Sequence, residues 1–174
     1  MFEHAFLSHV TEDGTAIGVG AVWQNEKIYQ IDLIADGDEG PWLAGLPSVI
    51  QQSARAQPER TAPLWLDLVD RLEGGPGHGR WGLADRGTPF QKRVWDVLLS
   101  IPRGEVLTYK QLAHRVNVPN GARAVAGGCG ANPFLLLVPC HRVVGGQGKL
   151  GGFRAGVVIK RRLLKMEGAD RENP

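Results

Sequence analysis

TPFQKRVWDVLLSIPRGEVLTYKQLAHRVNVPNGARAVAGGCG, residues 88–130, reads as three helices in succession. Thr88 precedes Pro89 and is followed three residues later by Gln91, a capping box with proline at the first helical position. Phe90, Val94, Val97, Leu98 and Ile101 then recur at i, i+4, i+7, i+8 and i+11, one apolar stripe that stops at Pro102-Arg103-Gly104. A second box, Thr108 with Gln111, opens a short helix to about Arg115. Beyond Val118-Pro119, Asn120 is expected to cap a third helix from Gly121 to about Gly130. Two short helices across a tight turn predict a helix-turn-helix, whose second helix is basic only at Arg123.

Outward from this block the pattern changes on each side. Downstream, the apolar run Leu135–Val138 delivers Pro139-Cys140-His141, Gly145–Gly152 reads as a glycine-rich turn, and a last helix from Val157 stops at Gly168 in the position of a C-cap glycine. Upstream, GGPGHGRWGLADRG (74–87) is too rich in glycine for a helix and reads as a linker or an extended strand. Leu46–Arg55 and Leu64–Leu72 read as helices. HAFLSHV (4–10), AIGVGAVW (16–23) and KIYQIDLI (27–34) alternate or run apolar, separated by the turn signals Glu12-Asp13-Gly14 and Gln24-Asn25-Glu26. Connections this short imply an antiparallel meander. The expected fold class is α+β: a strand-rich N-terminal domain over 1–85, a three-stranded antiparallel sheet with helical cover, then a helical C-terminal domain over 86–174.

The 174 residues are 43% hydrophobic and 22% charged, ordinary for a globular chain able to bury a core. No apolar run reaches the roughly 18 residues of a membrane span, so no membrane partner is expected. The N-terminus lacks the basic and small-residue regions of a signal peptide, which points to the cytoplasm. In that reducing compartment Cys129 and Cys140 are expected as free thiols, too few for a cysteine-only zinc site, and no metal or cofactor is implied. Net charge is +2 but unevenly spread. Residues 1–85 carry 5 Lys and Arg against 13 Asp and Glu, and residues 86–168 carry 14 against 3. A basic half with few acids has the footprint of a polyanion binder.

Cys140 is the candidate nucleophile. A thiol attacks as thiolate, and at its ordinary pKa of about 8.5 it is mostly protonated at neutral pH, so it needs a base or a positive field. His141 is adjacent and Arg142 follows. Neighbouring side chains on an extended segment point apart, which favours a bridging water over direct contact. A base needs an orienting carboxylate, and the basic half offers Asp96, Glu105 and Glu167. Glu167 at a helix C-terminus opposes the macrodipole, which hints at a separate task. A cysteine followed by a histidine is a weak signal by itself, because inert buried cysteines are common.

The surrounding residues add a resemblance. GTPFQKRVWDVLLSIPRGEVLTYKQLA, then ARAV, then NPFLLLVPCHRVVGGQGKLGGFRAG, then KRRLLKMEG resemble the O6-alkylguanine-DNA alkyltransferases over roughly residues 86–168. The first half resembles that family only in size and strand-rich character. The resemblance implies that Cys140 accepts an alkyl group, chiefly methyl, once only, from O6 of guanine, with O4 of thymine as a lesser donor. It implies that His141 is the water-bridged base, Glu167 its orienting carboxylate, Asn132 the residue holding the active-site turn, and Tyr109 the donor to the leaving guanine. Arg123 is similar to the arginine that takes the place of a flipped-out nucleotide. Ala122, Ala124, Ala126 and Gly127 around it are small enough for close approach to the minor groove of double-stranded DNA. Val143, Leu135, Phe153, Arg154 and Trp95 are the expected substrate-pocket residues, and the family is usually monomeric.

Two positions depart from the family pattern. Leu135 stands where a smaller residue or proline is expected, and Phe153 where tyrosine is frequent, which puts bulky adducts such as benzyl in doubt. Cys129 is expected to be packing, and no second module of a methyl-sensing regulator is expected. Three alternatives compete: a non-reactive lesion sensor, which lacks cysteine at the acceptor position; a helix-turn-helix regulator, which would bind sequence-selectively; and a cysteine hydrolase, which would turn over and lacks an evident oxyanion hole.

Overall fold

The computed structural model describes residues 1–147 and 149–169 and is α+β. It divides into two units, residues 1–85 with 133–135 in one, and residues 86–132 with 136 onward in the other.

The first unit is built on β1 (Phe2–Val10), β2 (Ala16–Gln24) and β3 (Lys27–Ala35). β1 pairs antiparallel with β2 from Phe2↔Gln24 to Val10↔Ala16, and β2 with β3 from Ile17↔Ala35 to Gln24↔Lys27. The β2–β3 turn has φ of 49° at Asn25 and 67° at Glu26, the two left-handed residues of a hairpin whose twist matches its strands. Ile17 to Trp23 of the central strand are all buried, because helices cover the sheet. Trp42 of α1 (Glu39–Gly45) and Ile50 of α2 (Ser48–Gln51) pack with Val22 and Leu46. The indole lies so close over Gly20 that a Cβ there would stand 2.2 Å from Trp42 Cε2, and its Nε1 donates to Asp32 Oδ2 at 3.0 Å. α3 (Pro58–Leu72) buries Leu64, Leu68 and Leu72 at i, i+4 and i+8, and Trp65 on the same helix meets Trp23 edge to face at 6.3 Å.

The helix expected over 46–55 is not continuous. Pro47 introduces the single turn of α2, then Ala54–Arg55 form β4, parallel to β1 at Glu3↔Ala54 and His4↔Arg55. Ser53 ends the helix because its hydroxyl donates to Ile50 O at 2.6 Å while His4 Nδ1 lies 3.0 Å from Ser53 Oγ. The sheet therefore has the order β3-β2-β1-β4, one strand more than expected. α3 starts six residues before Leu64, since Pro58 at the first position lacks only an N–H that a helix start leaves unpaired. The glycine-rich stretch is held by Asp67, which accepts from Gly79 N–H (2.7 Å), Trp81 Nε1 (2.9 Å), Arg71 Nε (2.9 Å) and the His78 N–H. Further along, Leu83 bridges to Ile28, and Phe134 bridges to Ile31 on the same strand.

The second unit holds α4 (Pro89–Leu99), α5 (Tyr109–Arg115), α6 (Ala122–Gly130) and α7 (Val157–Met166), with β5 (Leu107–Thr108) parallel to β6 (Val143–Val144). Both capping boxes form. Thr88 N–H donates to Gln91 Oε1 at 2.8 Å and Gln91 N–H to Thr88 Oγ1 at 3.3 Å; at Thr108 and Gln111 the distances are 2.7 and 3.2 Å. Asn120 does not cap α6. The cap is Gly121, whose N–H closes a turn onto Val118 O at 2.7 Å. α6 approaches α4 at Gly128, where a Cβ would meet Val94 Cγ2 at 3.1 Å. Among the described residues no helix is long and apolar enough to cross a membrane.

Gly20→Ala should destabilise the first unit by about 1–3 kcal/mol, the usual cost of overpacking, because Trp42 must leave its seat and its bond to Asp32. Urea unfolding followed by tryptophan fluorescence measures this, and an unchanged midpoint would show that Trp42 is not fixed there.

Candidate active site

The sequence places a proline on each side of an apolar run, and the chain answers with a compact arm. Asn132 to Cys140 are all buried, and Leu136 is held at φ 68°, a left-handed conformation that costs a branched residue of order 1 kcal/mol. Cys140–Arg142 then form one 3-10 turn rather than the extended segment expected. The tight turn arises because Cys140 N–H bonds Val138 O at 2.8 Å and Arg142 N–H bonds Pro139 O at 3.1 Å.

This turn distributes three side chains. Cys140 Sγ is buried and accepts from Asn132 Nδ2 at 3.1 Å. The same amide nitrogen donates to Val138 O at 2.8 Å, tying Asn132 to the backbone just before the cysteine. Burial pushes the Cys140 thiol up, while the Asn132 hydrogen bond and the nearby Arg154 and Lys160 charges oppose that shift. His141, 2% exposed, places Nε2 3.0 Å from Glu167 Oε1 at the C-terminal cap of α7. Burial lowers its pKa and Glu167 works against the shift. Arg142 grips the same carboxylate with both arms of its fork, Nε to Oε2 and Nη2 to Oε1, each at 2.8 Å, and donates Nη1 to Ile101 O at 2.7 Å. Burial would raise Glu167, but hydrogen bonds from His141 and Arg142 hold it down at about 2. It is therefore a carboxylate at neutral pH and can only accept.

That fact fixes the imidazole tautomer. Nε2 must carry its proton toward Glu167, so Nδ1 presents a lone pair. Nδ1 is buried and has no hydrogen-bond partner among the described residues.

The thiol opens on a cavity of about 380 Å³, lined by Tyr109, Ala126, Cys129, Cys140, Phe153 and Arg154 together with glycines. Tyr109, the first residue of α5, donates its hydroxyl to Gly152 O at a long 3.5 Å. A Cβ at Gly151, where φ is 69°, would meet the Tyr109 ring at 2.9 Å, so glycine keeps that wall close. Cys129 is buried and driven up to about 12 by burial first, which leaves it protonated and inert at neutral pH. Among the described residues no cluster of His, Cys, Asp or Glu could hold a metal ion.

Three residues expected in the pocket are not part of its lining. Trp95 is buried in α4 and donates Nε1 to Gly128 O at 2.9 Å, so its indole joins two helices instead. Val143 is buried in β6, where pairing with Leu107 fixes it. Leu135 is buried and belongs to the first unit, its N–H on Ile31 O at 3.4 Å. On α6, Arg123, Ala124, Gly127 and Gly130 are exposed, Ala122 is half-buried, and Ala126 turns into the cavity. The helix thus presents one long cation on a surface of small residues whose other side is the cavity wall.

Two residues that shape the site escape the sequence reading. Arg142 is visible there only as a charge beside the thiol. Lys160 sits in a run of three basic residues that looks solvated, yet it is fully buried, with Nζ donating to Val143 O (2.6 Å) and Gly152 O (3.2 Å). Burial lowers its pKa to about 8. The available signal is its position beside Ile159 and one turn before Leu163 and Leu164, on the apolar face of α7.

Residues 89–169 match the family described as 6-O-methylguanine DNA methyltransferase, DNA binding domain. The methylated-DNA–protein-cysteine methyltransferase of Mycobacterium tuberculosis is 50% identical over 82 residues, 47% of this chain and 50% of that protein. The protein of the same name from Salmonella typhimurium is 46% identical over 103 residues, 59% of this chain and 55% of its own length. The chain thus spans about half the length of these curated relatives. A crystal structure of M. tuberculosis OGT in complex with DNA superposes with a TM-score of 0.72 at 28% identity, covering 95% of this chain and 93% of that one.

Glu167→Gln should cost roughly 3 kcal/mol at neutral pH, because the half-buried Arg142 guanidinium loses its counter-charge. A carboxylate held at about 2 against an ordinary 4.5 contributes stability that is present above pH 4.5 and lost as pH falls toward 2. The parent should therefore weaken by roughly 3 kcal/mol across that window, and the variant should lack that step. Denaturant unfolding at a series of pH values reads both, and a variant retaining the step would detach it from Glu167.

Proposed function

Because residues 89–169 match the family described as 6-O-methylguanine DNA methyltransferase, DNA binding domain, we propose that the chain repairs alkylated DNA by moving an alkyl group, chiefly methyl, from guanine O6 to Cys140. The observation that carries this reading is the tautomer imposed on His141. Glu167 holds Nε2, and the bare, buried Nδ1 is the acceptor through which one water can draw the proton from Cys140. The Asn132 hydrogen bond to Sγ favours the thiolate as it forms.

The sulfur then attacks the alkyl carbon. A C–S bond forms, the C–O6 bond breaks, and its electron pair goes to the guanine oxygen. Tyr109 faces the same cavity with a hydroxyl held only loosely by Gly152 O, and it turns to donate to the departing base. A thioether has no easy reverse, and nothing in the cavity hydrolyses it, so each molecule acts once.

Guanine O6 lies inside the duplex, so the nucleotide must be extruded. α6 suits that task. Small residues let it approach the minor groove, and Arg123 fills the space left in the base stack. α5 and α6 act here as a helix-turn-helix that reads backbone and groove shape, which gives salt-sensitive binding with little sequence preference. Thymine O4 presents the same type of bond as a lesser donor. Every proposed catalytic group lies within one unit of one chain, which supports action as a monomer.

One equivalent of duplex oligonucleotide containing O6-methylguanine should add one methyl group to the protein, located on Cys140 by peptide mass spectrometry. Cys140→Ala should bind the duplex and transfer nothing. Arg123→Ala should slow repair of the duplex at least tenfold more than reaction with a free O6-alkylguanine base, since only the duplex requires extrusion. Multiple turnovers, or methyl found on Cys129, would refute the mechanism.

A further inference from the structure

The turn that leads into α6 holds a reactive pair that methyl transfer does not use. Of the asparagines in the chain, Asn120 alone is followed by glycine. A backbone nitrogen with no side chain beside it can reach the preceding side-chain amide. The other asparagines lack that neighbour: Pro133 after Asn132 has no N–H to offer, and the branched Val118 after Asn117 hinders attack. Asn120 is exposed, and Gly121 rather than Asn120 caps α6. The turn requires glycine at 121, because a Cβ there would stand 2.9 Å from Val118 O. Gly121 N–H is bonded to that same carbonyl at 2.7 Å, and this bond must open before the nitrogen reacts. The folded chain is therefore slower to react than a free peptide of the same sequence.

On the reading that α6 holds DNA, we propose that Asn120–Gly121 is a site of spontaneous modification, which converts Asn120 to aspartate or isoaspartate and loosens the protein from duplex DNA. The Gly121 nitrogen gives up its proton and bonds to Asn120 Cγ. The Cγ–Nδ2 bond breaks, and the nitrogen leaves with a proton as ammonia. Water then opens the cyclic imide at either carbonyl, which restores the chain with a carboxylate in place of the amide. Water is the only co-reactant. A neutral group thus becomes an anion just ahead of the helix that carries Arg123. The positive end of the helix dipole accepts that charge, so the fold keeps the product. Phosphates repel it. The outcome is a folded protein with Cys140 intact and a weakened hold on its substrate.

The intact protein is aged in mildly alkaline buffer and digested with trypsin, and the peptide Val116–Arg123 is followed by mass spectrometry beside its synthetic copy. Acid should accumulate at Asn120 and not at Asn117, more slowly than in the free peptide. Asn120→Gln should resist the change and bind undamaged duplex like the parent. Asn120→Asp, which fixes the product charge, should bind that duplex about fivefold more weakly, the size of one unit charge near phosphate in water. Added salt should close the gap. The unfolding midpoint of Asn120→Asp should match or exceed the parent's, and its reaction with a free O6-alkylguanine base should keep the parent rate. An aged protein unmodified at Asn120 would overturn the proposal, as would an Asn120→Asp that holds duplex as tightly as the parent. A midpoint well below the parent's would make the loss one of folding and overturn it too. A parent that does not bind duplex at all would instead remove the reading on which the proposal rests.

Discussion

A single carboxylate organises the side chains around Cys140. Glu167 closes α7 at the end where a negative charge is least welcome, and Arg142 and His141 together make that placement favourable. The same three residues join elements far apart in sequence, since Arg142 also holds the carbonyl of Ile101 beyond the end of α4. Removing Arg142 or Glu167 would strand the other's charge in a poorly hydrated place. The ion cluster is thus a structural rivet and, through the imidazole, the device that sets where a proton can go.

The sulfur sits between opposed influences. Burial protects it from casual oxidants and makes ionisation costly, while one amide donor and two cations lower that cost locally. Lys160 contributes to the shape of the site as well as to its charge. Its ammonium ties the strand that follows the nucleophile to the glycine wall facing it, so both sides of the cavity share one anchor. Cys129 lines the same space, where burial first and then the neighbouring Cys140 push its thiol up against the opposing charge of Lys160.

Features that depend on local spacing were legible in the residues. The two capping boxes, the hairpin at Asn25-Glu26 and the stop at Gly168 each involve neighbours three or four positions apart, and the chain forms all of them. Features decided by distant partners were not. Residues 46–55 carry a helical pattern, but His4 and the edge of β1 claim their second half. Asn120 looks like a cap, and the turn onto Val118 lets Gly121 take that place. Trp95 looks like a pocket aromatic until Gly128 offers it a carbonyl. Cys140 and His141 stand out by resemblance, whereas Arg142 and Lys160 are hidden because a basic residue in a basic stretch gives no sign that it turns inward.

The arm that delivers the nucleophile also has an architectural consequence. Between Asn132 and Leu136 the chain leaves the second unit for three residues, and Pro133–Leu135 lie along the outer strand of the sheet, with Ile31 N–H on Pro133 O at 2.7 Å. That edge would otherwise display unpaired amides, the usual template for self-association. The segment leading to Cys140 therefore doubles as an edge protector. A fragment cut at residue 86 would carry Phe134 and Leu135 with no bed to lie in, next to the strained backbone of Leu136.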